Sequence, residues 1–139
     1  MPEDAQPHAS TTGITYAYVG GVAAAVERTL EKLNPHRKIK LQTRKADGVP
    51  VCKAMINDIL EGRSDGNFFE GMGCIGGCVG GPRAIIPKEE GKKCVQTYAD
   101  SSAFETPMEN SYVIGMLKEL GFNTVEDFLT KSHLYDRQF

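Results

Sequence analysis

The stretch Asn67-Phe68-Phe69-Glu70-Gly71-Met72-Gly73-Cys74-Ile75-Gly76-Gly77-Cys78-Val79-Gly80-Gly81-Pro82 decides how the rest of this chain is read. A short apolar run rich in aromatics brings two thiols into a segment with six glycines between Gly71 and Gly81. Glycine tolerates positive φ and lets backbone N–H groups come close to a ligand. Successive amides in such turns form concave nests that bind anions and occur at iron–sulfur sites. These residue types at this spacing point to a thiolate metal loop. The plainer reading is two small buried residues, or a disulfide, in a glycine-rich turn, since free cysteine is among the most buried residue types. A zinc site would usually show a second cysteine pair. Cys52 and Cys94 are too scattered to form one.

Immediately upstream, Ile39, Leu41 and Thr43 alternate with Lys40, Gln42 and Arg44, the period of a half-buried strand. Asp47-Gly48 closes it. A helix is expected from about Pro50, well suited to a first turn, through Val51, Met55, Ile59 and Leu60 to a stop at Gly62. Gly62 to Gly66 turns into a second strand at Asn67-Phe68-Phe69. A strand, helix, strand unit of this length favours parallel pairing with a right-handed crossover. The cysteine loop then leaves the carboxyl end of a strand, where ligands of open α/β sheets collect.

Further out, Ile14 to Val19 reads as a short strand or extended entry that Gly20-Gly21 breaks. Val22, Val26, Leu30 and Leu33 then recur at helical spacing until Asn34-Pro35. Beyond the loop, Ala84-Ile85-Ile86-Pro87 is expected to be extended, Lys88 to Lys93 a charged turn and Tyr98 to Ser102 an irregular bridge. Thr106-Pro107-Met108-Glu109 fits a capping box that starts a helix. Met108, Tyr112, Met116 and Leu120 would line its buried face and Gly121 would cap its end. Thr124 to Asp127 starts a last short helix carrying Phe128 and Leu129. The expected fold class is α/β: a small open sheet with a strand-helix-strand unit, helices packed on it, and C-terminal helices. Residues 1–13 are expected to be a flexible leader or the edge of a larger protein, and residues 14–139 a single domain.

The composition limits the functions open to the chain. With 16 basic and 18 acidic residues among 139, a net charge of −2 argues against a nucleic-acid binder, which needs a basic face. No run of eighteen apolar residues is present, so no membrane span is expected. The polar start, Met1 to Ser10, lacks the basic and apolar regions of a signal peptide. Four cysteines in such a chain fit a reducing, cytoplasmic setting.

The run from Phe69 to Pro82 resembles the last cysteine motif of the iron-only (di-iron) hydrogenases, a Phe/Ile-x-Glu-x-Met-x-Cys-x-Gly-Gly-Cys-x-x-Gly pattern. The likeness extends from roughly Tyr16 to the C-terminus. Gly20-Gly21-Val22 is similar to a family helix start, Ile39 to Gly62 to the elements before the motif, and Met108-Glu109-Asn110-Ser111 and Lys131-Ser132-His133 to its tail. The resemblance implies the C-terminal part of a catalytic domain that interconverts protons and dihydrogen. It further implies Cys74 as a ligand of a four-iron four-sulfur cubane and Cys78 as the thiolate bridging the cubane to a di-iron subcluster. Met72 would pack beside the cluster, and Gly76, Gly77 and Gly80 would approach it. The partners implied are the remainder of the catalytic domain and a ferredoxin-like electron carrier. The family's Thr-Ser-Cys-Cys-Pro and Pro-Cys runs are absent from this chain. Catalysis by the chain alone is therefore not expected, and no residue within it is assigned a catalytic role.

Other residues carry expectations of their own. Glu70 is expected to aim its carboxylate at the loop, orienting loop amides or relaying protons. Cys52 reads as a core or partly covered thiol. Cys94, after Lys92-Lys93, reads as a surface thiol or a reactive one. Lys88, Lys92 and Lys93 form either a solvated turn or a docking patch for an acidic carrier. His8 and His36 show no partner in the sequence, and His133 reads as structural. A second class of function stays open: a non-catalytic module that uses the loop for protein interaction or thiol redox.

Overall fold

The computed structural model describes residues 8–133, 136 and 137. It is a small α/β fold. Helix α1 (Thr11–Ile14) is followed by a 3-10 turn (Thr15–Ala17) and helix α2 (Gly21–Leu33). Then come strand β1 (Thr43–Asp47), helix α3 (Val49–Leu60) and strand β2 (Phe68–Met72). After the cysteine loop and a 3-10 turn (Cys78–Gly80), helices α4 (Lys88–Asp100), α5 (Ser111–Glu119) and α6 (Val125–Lys131) complete the chain.

The expected strand, helix, strand unit is present. β1 and β2 pair in parallel, with Thr43 opposite Phe68 and Asp47 opposite Met72. Both strands lie later in the chain than the alternation suggested. Ile39 is 73% exposed and turns no strand face inward, and register pairing begins only at Thr43. β2 runs on to Met72 because its partner offers a backbone edge as far as Asp47. Pro50 occupies the first turn of α3 as expected.

Four other expectations are corrected. Residues 14–19 form no strand. Ser10, with its side chain accepting the Gly13 N–H, starts α1 inside the segment read as a leader, and Ser10, Thr12 and Thr15 are buried. The charged turn after Pro87 and the bridge as far as Asp100 are one helix, α4, whose buried residues are Gly91 and Ala99. Thr106 to Glu109 cap a 3-10 turn (Pro107–Glu109), where Glu109 accepts the Thr106 N–H at 3.1 Å. The α-helix starts one step later with Asn110 as its cap. Finally, α5 turns Leu117 inward and leaves Tyr112, Met116 and Leu120 more than half exposed. Its end does close at Gly121: Phe122 N–H reaches Leu117 O and Gly121 N–H reaches Lys118 O, the paired bonds of a Schellman motif.

Among the described residues the buried hydrophobic ones are Ala23, Ala25, Ala46, Ala99 and Leu117, so that interior is built mostly from alanine. Small side chains let backbones approach, which is how α2 lies close to the preceding turn. A Cβ on Gly21 would sit 1.8 Å from Thr15 O. Among the described residues, no helix is long and apolar enough to cross a membrane.

Candidate metal centre

β2 delivers Met72 at its end, and the chain then turns sharply through Gly73 to Gly81. Asp47, the last residue of β1, lies opposite Met72 in the sheet register. Gly48 N–H donates to Met72 O at 2.9 Å, which closes the base of the loop. Asp47 Oδ2 accepts the Gly76 N–H at 2.5 Å, and Gly76 O accepts the Val19 N–H at 3.1 Å. The residue midway between the two cysteines is thus tied through its N–H to the sheet and through its C=O to the segment before α2.

The glycines make this path possible. Gly76 and Gly77 have φ of 87° and 89°, conformations that side-chain-bearing residues rarely adopt. A Cβ on Gly77 would lie 2.7 Å from both Met72 Sδ and Tyr18 Cα. On Gly80 it would lie 1.9 Å from Ile75 O, and on Gly76 it would meet the Lys88 side chain at 3.1 Å. The missing side chains of all three point at protein atoms, and Met72 packs its sulfur under Gly77. Gly91 lets α4 close on the loop from outside, its missing Cβ facing Val79 at 3.3 Å.

Cys74 is half-buried and Cys78 exposed, and all four cysteines are free thiols. Cys52 lies elsewhere, under the ends of both strands, where its thiol donates to Met72 O at 3.3 Å and Ala46 O at 3.6 Å. Cys94 is exposed on α4, in a shallow hollow with Glu90, Thr97 and Tyr98. Lys92 of the same helix stands 4.9 Å over the Tyr18 ring. Burial pushes the Tyr18 phenol above its ordinary value, and its hydroxyl hydrogen-bonds Gln96 Oε1 at 2.6 Å.

Glu70 does not face the loop. Its carboxylate is buried and accepts the Gly20 N–H at 2.6 Å and the Ala23 N–H at 2.8 Å, so it caps the N-terminus of α2. Alternation along β2 gives the cause: Glu70 is buried while its neighbour Gly71 is exposed. His8 does have a partner, since its ring lies 4.2 Å from that of Tyr112. His133 Nδ1 is 2.6 Å from Asp136 Oδ2.

Sequence reasoning read Asp47 only as part of a turn and missed its bond to the loop. The one local signal was an acidic residue ending a strand one step before a glycine. Nothing local marked Val19 as the second tie, because its role depends on the backbone passing beside Gly76.

A parallel pair of strands thus ends in a two-thiol glycine loop, and the residues that build it fall within one known family. The model of the iron-only hydrogenase large subunit, C-terminal domain, matches residues 2–82. The chain belongs to this family. The match covers more than half of the chain and ends at Pro82, directly after the cysteine loop; residues 83–139 lie outside it. No curated protein matches the chain. Intact members of this family carry an iron–sulfur active-site cluster, and the family description marks the matched part as one domain of a large subunit.

Proposed function

We propose that Cys74 and Cys78 are thiolate ligands of the iron–sulfur active-site cluster in an iron-only hydrogenase catalytic domain, which reversibly reduces protons to dihydrogen. One observation carries the reading. A half-buried thiol, Cys74, and an exposed one, Cys78, flank a glycine whose N–H and C=O are both tied to the fold, at the carboxyl ends of two parallel strands. Thiolates are the ligands such clusters take. Among the described residues no group of three or more His, Cys, Asp or Glu side chains could hold a metal ion. The donors present fit a two-thiolate share of a cluster site, with the other ligands coming from the remainder of the catalytic domain.

In this reading Cys74 would hold the four-iron four-sulfur cubane, and Cys78 would supply the thiolate shared with the di-iron subcluster. When bound, that group supplies the redox chemistry joining two protons and two electrons into dihydrogen. The chain's own residues orient the ligands. Met72 packs beneath the loop, and Gly76, Gly77 and Gly80 keep it thin enough for the thiols to meet the cluster. A ferredoxin-like carrier exchanges electrons with the domain, in the cytoplasm.

Anaerobic reconstitution of the chain with iron and sulfide tests the proposal. Iron uptake should be weak in the native chain and lost in Cys78→Ser and Cys74→Ser, while Cys52→Ser and Cys94→Ser retain it. Equal iron in all five proteins would remove Cys74 and Cys78 as ligands.

A further inference from the structure

We propose that Asp47 is a positioning residue for the cysteine loop: its carboxylate holds the Gly76 amide and thereby fixes the backbone that carries the Cys74 and Cys78 thiols. The inference rests on the reading of those thiols as ligands, and it names the device that prepares them.

Gly76 is the central residue of the Cys-x3-Cys segment, and both of its backbone polar groups are anchored. The N–H goes to Asp47 Oδ2 at 2.5 Å, and the C=O receives the Val19 N–H at 3.1 Å. A glycine-rich turn loses more conformational freedom on ordering than any other backbone. Anchoring its midpoint removes most of the ways in which the two flanking thiols could drift apart. An ionised carboxylate is a stronger acceptor for a backbone N–H than a neutral oxygen. The anchor is itself rigid: Asp47 ends β1, pairs with Met72 in the sheet, and precedes Gly48, whose N–H is bonded to Met72 O. Lys88 lies across Gly76 from the opposite side, its methylenes meeting the position of the absent Cβ. Asp47 acts on the thiols only through this peptide.

Cadmium titration of the metal-free chain, followed by thiolate charge-transfer absorbance, reads the preorganisation of the two thiols directly. Asp47→Ala should weaken cadmium binding about tenfold and Asp47→Asn about threefold, the range expected for losing a charged or part of a charged hydrogen bond. The thermal midpoint should stay close to native in both, and hydrogen exchange at the Gly76 amide should quicken in the same order. Native-like cadmium affinity in Asp47→Ala, or unchanged Gly76 exchange, overturns the proposal. Should Asp47→Ala fail to fold, Asp47→Asn decides: affinity and exchange equal to the native chain overturn it. If the native chain binds cadmium no better than the Cys74→Ser/Cys78→Ser double variant, the ligand reading itself falls. Cysteine-dependent binding that ignores Asp47 removes the positioning role alone.

Discussion

Glu70 shows how far one side chain can depart from the role its neighbours suggest. It lies between Phe69 and the cysteine loop, yet its buried carboxylate turns to the other side of β2 and takes the Gly20 and Ala23 amides. The first N–H groups of a helix have no partner inside it, and negative charge is favoured there by the helix dipole. Glu70→Ala would leave those amides buried and unpaired. The expected cost is about 2–3 kcal/mol, from the loss of charged hydrogen bonds and the desolvation left behind, measured by denaturant unfolding. Cys74 and Cys78 stand out as candidates because two thiols set among glycines are conspicuous in a chain whose make-up is otherwise that of an ordinary globular domain. Asp47 and Glu70 were legible as residues but not as contacts, since each bonds to a peptide 29 or 47–50 positions away.

At the scale of elements, α4 shows why one pattern reading failed. Its inward residues Gly91 and Ala99 bracket half-buried Val95 at intervals of four, a helical stripe made of side chains too small to register as hydrophobic. The same smallness lets the helix close on Val79 of the loop. A second element contact is electrostatic. Lys32 near the end of α2 reaches Glu109 at 2.8 Å and Glu105 at 3.1 Å, joining α2 to the turn before α5. The bond from Lys32 holds the Glu109 carboxyl below its ordinary value, and the bond to Glu109 raises the Lys32 ammonium. Glu109 therefore contributes above the ordinary carboxylate range, and its share is lost as pH falls through the depressed value. Lys32 contributes below the ordinary lysine value, and its share is lost as pH rises through the raised one. Exchange of the Glu105 and Thr106 amides, both bonded to Glu109, should be slowest relative to the intrinsic rate between those limits. Lys32→Met should abolish the basic limb and move the acid limb to higher pH, since Glu109 keeps its bonds to the two amides but loses the ammonium that depresses its carboxyl. An unchanged profile in that variant would remove the tie.

The whole molecule carries more apolar surface than its interior accounts for. α3 has no fully buried residue, and Val49, Val51, Ile56 and Leu60 are each more than half exposed. Beside it, Cys52, Met55, Phe69 and Gly71 line an open cleft of about 410 Å³ between α3 and β2. Exposed apolar side chains gathered on one element offer a hydrophobic probe a place to bind. The chain alone should bind a hydrophobic dye, and replacing Ile56 and Ile59 together by lysine should lower the signal; no change would place the dye elsewhere. The sequence by itself determined the strand, helix, strand order, the parallel pairing and the thiol loop at its end, because period, turn residues and cysteine spacing are local properties. Only the tertiary structure decided where the strands begin, which way Glu70 and α5 face, and what anchors Gly76. Those depend on which backbones come to lie side by side, and a packing built from glycine and alanine leaves almost no hydrophobic pattern from which to read them.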